Sequence, residues 1–322
     1  MKTPHSLAAL ALVAASIATA SAQIANLSYR SYVGTGAAES TLSFSISGTG
    51  TEQVLIRAIG PSLTSQGLSS GAVLADPAIQ LFSGSTLIAA NDNWGDNANA
   101  SQLTTAFSQV GAQPLANTDT ASAALLLTLA PGTYRVRIFG VNATTGIALP
   151  ELYLGPGGGS GFNFVSAEST IASGSQPLIA GTVVSGSSSS NLLVRALGPA
   201  LGDSSATSDP SLTVYDSLHG NAVFGQNDNW STNANAASIA TATAALGLTS
   251  LAPGSTDSAL LQTFSPGVYS YVVSHSVSAN DGLVRLEIAD ATAVPEPAAT
   301  AAVVALAALG LVTLARRRGR IV

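Results

Sequence analysis

The sequence predicts an all-β protein: two tandem β-sandwich (jelly-roll-like) domains followed by a C-terminal transmembrane helix. Three observations carry that expectation. The central part of the chain is a duplication. Each copy reads as short strands between turn signals. Ala298 to Ala315 then holds no charge and runs straight into Arg316-Arg317-Arg318.

Taken in order, residues 1–22 read as a secretory signal peptide. Lys2 supplies the positive start, Leu7 to Ala18 the apolar stretch, and Ala20-Ser21-Ala22 the small-residue cleavage site before Gln23. The apolar stretch is too short and too rich in alanine to serve as a membrane span.

The first copy occupies residues 23–154 and the second 162–290. Val54-Leu55-Ile56-Arg57-Ala58-Ile59-Gly60-Pro61 recurs as Leu192-Leu193-Val194-Arg195-Ala196-Leu197-Gly198-Pro199. Asp76-Pro77 returns as Asp209-Pro210, and Asn91-Asp92-Asn93-Trp94 as Asn227-Asp228-Asn229-Trp230. Pro131-Gly132-x-Tyr134 answers Pro266-Gly267-x-Tyr269, and Glu151-Leu152 answers Glu287-Ile288.

Within each copy the period is that of strands. Leu42-x-Phe44-x-Ile46 and Tyr134-x-Val136-x-Ile138 alternate as half-buried strands do. Val54 to Ile59 and Leu192 to Leu197 are apolar bursts ended by Gly-Pro, a turn signal. Asn142-Ala143-Thr144-Thr145-Gly146 reads as a hairpin loop, and Ser278-Ala279-Asn280-Asp281-Gly282 as its counterpart. One helix per copy is expected, over Ala98–Val110 and Ala234–Leu246, where apolar residues take helical spacing. Between the copies, residues 155–161 (Gly-Pro-Gly-Gly-Gly-Ser-Gly) have the composition of a flexible linker.

This repeated pattern resembles a tandem β-sandwich repeat of surface proteins in Verrucomicrobia-type bacteria, and loosely the bacterial pre-peptidase C-terminal domains. The resemblance implies an accessory or structural role without catalysis. The second copy departs from it in the last hairpin and in its lead-in strands.

Residues 291–297 form a short linker containing Pro295-Glu296-Pro297. As a helix, 298–315 would rise about 27 Å, close to the hydrocarbon thickness of a bilayer. The basic tail, 316–322, would hold its end on the cytoplasmic side. Proline motif, apolar stretch and Arg316, Arg317, Arg318, in that order, resemble the PEP-CTERM sorting signal of Gram-negative bacteria. That resemblance implies an exosortase-type sorting enzyme as partner. It also implies inner-membrane anchoring before processing, and then a place at the cell surface or in an extracellular matrix.

Composition narrows the function. Without cysteine, thiol catalysis and cysteine-held zinc are excluded, and stability rests on packing. Residues 23–297 carry six arginines, no lysine and all 17 acids, a surface that repels phosphate backbones, so nucleic acid is not expected as a partner. Chemistry common to both copies should appear twice, and His219 and His275 have no counterpart. No His-Glu-x-x-His occurs, and with two unmatched histidines a histidine-based triad or zinc site has little to stand on, so neither a catalytic residue nor a cofactor is expected.

Asn-Asp-Asn-Trp is the sharpest repeated feature. Asn91, Asp92 and Asn93, with Asn227, Asp228 and Asn229, carry oxygens of the kind that bind calcium, with Asp96 or Asp76 as further ligands. Thr232 replaces Asp96 in the second copy. The structural reading, preferred here, makes them turn and capping residues. On that reading Trp94 and Trp230 anchor a loop; on the other they stack on sugar. Arg57 and Arg195 end apolar strands and need a carboxylate. Asp76 or Asp92, and Asp209 or Asp228, are the expected partners.

The function expected from sequence is that of an exported, exosortase-sorted surface or matrix protein with a structural or adhesive role. The alternative is an accessory module binding an extracellular polysaccharide, with or without calcium.

Overall fold

The computed structural model describes residues 23–115, 118–155, 161–172, 177–275 and 279–292. The first copy contributes β1 (Gln23–Ile24), β2 (Asn26–Val33), β3 (Ser40–Ile46), β4 (Glu52–Ile59) and β5 (Pro77–Ser83). It continues with β6 (Thr86–Asn91), α1 (Ala100–Gln109), β7 (Ala123–Leu129), β8 (Gly132–Gly140) and β9 (Gly146–Leu154). The second repeats the series from its second strand as β10 (Phe162–Ile171), β11 (Leu178–Ser185), β12 (Ser190–Leu197), β13 (Pro210–Asp216) and β14 (Ala222–Asn227). There follow α2 (Ala236–Ala245), β15 (Ser258–Phe264), β16 (Gly267–His275) and β17 (Gly282–Asp290).

The strands form two long antiparallel layers. One runs β6-β5-β8-β3-β10-β17-β12-β15. The other runs β7-β4-β9-β2-β11-β16-β13-β14. β1 bridges β10 and β11. Exchanging the two copies converts one layer into the other, so the duplication has become an internal pseudo-symmetry.

The copies are therefore not two sandwiches strung on a linker. They meet edge to edge twice, through β3–β10 and through the equivalent β2–β11. Alternation explains how the layers fill: Leu42, Phe44 and Ile46 point inward with Leu27, Tyr29 and Val33, all buried. One core runs across the joint and holds Ile24, Phe44 and Val136 from one copy with Phe162, Tyr271 and Leu286 from the other. Phe44 meets Phe162 edge-on, ring centres 5.5 Å apart, a favoured aromatic geometry.

Each helix covers the outer face of a layer. Leu103 and Phe107 of α1 pack on Leu55, Ile59 and Ala124. Ile239 and Ala242 of α2 pack on Leu193, Leu197 and Ala259. Gly111 and Gly247 take left-handed backbone (φ 70° and 64°) just past the helix ends, where a side chain would strain the chain reversal.

The expected transmembrane helix is corrected by this structure. No helix among the described residues is long and apolar enough to cross a membrane. α1 and α2 have 10 residues each, which at the α-helical rise is about half a bilayer core, and both are committed to the sheet. The stretch 298–315 lies outside the described residues. So do the signal peptide 1–22, linker residues 156–160, Pro295-Glu296-Pro297 and Arg316, Arg317, Arg318.

Candidate functional site

The repeated polar residues gather in each copy where the layer passes under its helix. Arg57 stands on the outer, helix-covered face of β4, flanked by Leu55 and Ile59, and is fully buried. Strand register sets its partner: Arg57 lies directly opposite Glu151 on β9, and Arg195 opposite Glu287 on β17. Arg57 Nε donates to Glu151 Oε2 at 2.7 Å, and Nη1 donates to the carbonyl of Gln113 at 2.7 Å. Nη2 sits 2.5 Å from the same carboxylate oxygen but without the alignment of a hydrogen bond. The second copy repeats this: Arg195 Nε and Nη2 donate to Glu287 Oε2, and Nη1 donates to the carbonyl of Thr249 at 2.7 Å.

Arg57 is thus not paired with Asp76 or Asp92, nor Arg195 with Asp209 or Asp228. Each arginine ties three pieces together: its own strand, the neighbouring strand and the chain beyond the helix. In the first copy the guanidinium also lies 4.7 Å from the centre of the Phe107 ring, and Tyr153 donates its hydroxyl to Glu151 Oε1 at 2.9 Å. Burial, first, and the Glu151 charge raise the Tyr153 phenol above its ordinary value.

The aspartates expected beside arginine feel each other's charge instead. Asp76 Oδ1 is shielded from solvent with no hydrogen bond, and so is Asp209 Oδ1. Burial, then the negative charge of Asp92, holds the Asp76 carboxyl above its ordinary value. In the second copy burial and then Asp209 do the same to Asp228. Asp92 and Asp96 are exposed, and the described residues contain no group of three or more acid, histidine or cysteine side chains poised for a metal.

The asparagines of the repeated motif have a specific task. β7 is the last strand of its layer, so its outward backbone groups have no neighbouring strand. Asn91 Oδ1 accepts the Ala124 N–H at 2.8 Å, and Asn97 Nδ2 donates to the Ala124 carbonyl at 3.0 Å. Asn99 Nδ2 reaches the Leu126 carbonyl at 3.4 Å. On β15, Asn227, Asn233 and Asn235 make the same three bonds to Ala259 and Leu261. Side-chain amides thus stand in for a missing strand. Asn91 and Asn227 also donate to the carbonyls of Asn93 and Asn229, closing the loop that carries the tryptophan.

Both tryptophans pack inward. Trp94 Nε1 donates to the Asp119 carbonyl at 2.7 Å, and its ring centre is 6.0 Å from that of Phe107. Trp230 is 7% exposed and donates to the Ala252 carbonyl and to Ser255 Oγ.

Two acids that the sequence reading passed over complete the region. Asp119 accepts the Ser62 and Ser122 amides and both of their hydroxyls, and Asp257 accepts the Gly198 and Ala200 amides. Each anchors the Gly-Pro turn after the arginine strand. Gly60 and Gly198 must be glycine, because a β-carbon would collide with the carbonyl of Leu74 or Thr207. Asp119 and Asp257 do not align between copies. By register, Asp257 holds the position of Ser122, so a search for matched acids misses both.

A concavity of about 210 Å³ opens near the junction, lined by Arg30, Tyr32, Ser169 and Thr170 among others. None of Arg57, Asp76, Asp92 and Trp94, nor their counterparts, lines it.

Scanned against models of known families the chain matches none, and no curated protein matches it. Among solved structures it is similar to the crystal structure of the STIV MCP, at 12% identity over 84% of this chain and 98% of that one, with a TM-score of 0.22. The atomic structure of Sulfolobus Turreted Icosahedral Virus matches at 13% identity over 93% of this chain and 99% of that one, with a TM-score of 0.21. Likeness at that level carries no argument about this chain.

Proposed function

We propose that the protein is an exported, non-catalytic building component of a cell surface or extracellular matrix. On this reading a signal peptide at residues 1–22 carries it out. An exosortase-type enzyme then sorts it at Pro295-Glu296-Pro297, as the resemblance to PEP-CTERM proteins implies. One observation weighs most. The residues that distinguish the repeat are spent on internal bonds: Arg57 on Glu151, Asn91 on Ala124, Trp94 on Asp119, each with its counterpart. Residues kept twice for binding or chemistry would point into an open cleft. A repeat built to hold a sheet rigid suits a load-bearing or space-filling part.

Fractionation of the native cells tests the proposal. The account expects the protein in the envelope or the external matrix, accessible to protease added to intact cells. Recovery in the cytosol with residues 1–22 still attached would end it. The polysaccharide-binding alternative would show as saturable glycan binding lost on Trp94→Ala with fold retained.

A further inference from the structure

We propose that the free edges of β6 and β14 pair with the same edges of a second copy of this chain, building an open-ended assembly by strand addition. The double layer ends in four strands, β6 and β7 at one end and β14 and β15 at the other. β7 and β15 are closed off by the asparagine bonds and lie beneath α1 and α2. β6 and β14 are not. Among the described residues, no side chain or backbone group outside the hairpins bonds the outward edge of Thr86 to Ala90 or of Ala222 to Gln226.

Sheet proteins ordinarily blunt such edges with charge, proline or a bulge. Thr-Leu-Ile-Ala-Ala-Asn and Ala-Val-Phe-Gly-Gln-Asn contain neither charge nor proline. Each hairpin has one register shift, at Ile88 and at Phe224, which leaves strand on either side of it. The described residues expose five large hydrophobic side chains, and four of them, Leu87, Ile88, Leu218 and Val223, sit on these two hairpins. Scattered exposed hydrophobes need no explanation, whereas clustering on two equivalent open edges does.

The chain itself shows who the partner is. Its two copies are already joined by antiparallel edge pairing, at β3–β10 and β2–β11. A second molecule offers β6 and β14 the same kind of joint, in strands matched in length and free of like charge. Because the two ends are equivalent under exchange of the copies, pairing at one leaves the other open, and growth does not close. The net charge of −6 opposes approach, so salt should favour assembly. This gives the proposed structural role its partner and rests on that reading for its setting alone. Mass in solution tests the pairing, and cell fractionation tests the location.

Sedimentation velocity of the purified chain, over a concentration series at low and high salt, is the experiment. The account expects a ladder of multiples that lengthens with concentration and with salt. Ile88→Lys closes one end and should stop the ladder at the dimer. Ile88→Lys with Val223→Lys should leave monomer. If Ile88→Lys lowers the melting temperature, Thr86→Lys on the same exposed edge replaces it. A wild-type chain that stays monomeric throughout would overturn the proposal. So would a ladder that survives in the double variant, since that would assign association to another part of the chain.

Discussion

The hydroxyls of Ser31 and Ser169 meet at 2.9 Å in the buried joint between the two copies, and the two serines hold equivalent positions in them. The register that sets Ser28 against Glu151 and Ser166 against Glu287 makes them so. A polar contact on the exchange axis belongs to neither copy alone. Each hydroxyl also contacts the next residue's carbonyl, so neither would be wholly unpaired if the other were removed. Ser31→Ala should therefore cost about 1 kcal/mol. A double-mutant cycle with Ser169→Ala should give a coupling of about 0.5–1 kcal/mol in urea unfolding. No coupling would mean that the joint does not form in solution.

The Arg57–Glu151 pair is buried, so breaking it and replacing it should differ sharply. Arg57→Met strands the carboxylate and should cost about 3–5 kcal/mol. Adding Glu151→Leu removes the stranded charge and should recover most of that loss. Arg195→Met and Glu287→Leu should repeat the result. Equal destabilisation by the single and double variants would contradict this account of the pair.

The Asp76–Asp92 and Asp209–Asp228 pairs act in the opposite sense. A carboxyl whose folded value lies above its unfolded one binds more protons folded than unfolded. Its contribution to stability therefore rises as pH falls from neutrality through the raised value, and is complete below the ordinary one. Asp76→Asn should raise the melting temperature at neutral pH and lose that advantage in acid. Asp92→Ala should also be neutral or stabilising, whereas a partner of Arg57 would have been unfolded by it. Melting curves across pH decide between these signs.

The asparagine bonds should matter for stability in proportion to what they leave open. Asn97→Leu strips the Ala124 carbonyl of its side-chain donor and should cost about 1–3 kcal/mol. Amide exchange at Ala124 should quicken specifically in Asn91→Ala, which frees that N–H. An unchanged exchange rate would show that the N–H is held by something else.

Much of this was legible in the chain. Duplication and period placed the strands, and Ala98–Val110 and Ala234–Leu246 contain α1 and α2. The partner of Arg57 was not legible, because Glu151 is 94 residues away and only strand register brings it opposite. Nearer aspartates looked equally suitable. The work of Asn91, Asn97 and Asn99 depends on β7 being a terminal strand, which no local pattern announces. The joint itself was hidden. A glycine-rich linker suggests separated domains, while the decision to fuse lies in edges of β2, β3, β10 and β11 that read as ordinary alternating strands.

The central claim is that the two copies fold as one body across that joint. Scanning calorimetry of the wild-type chain and of Arg57→Met tests it most directly. The account expects one transition in each, with calorimetric and van't Hoff enthalpies equal, and the whole transition moved down by the substitution. Two transitions, with Arg57→Met lowering one and leaving the other in place, would contradict it.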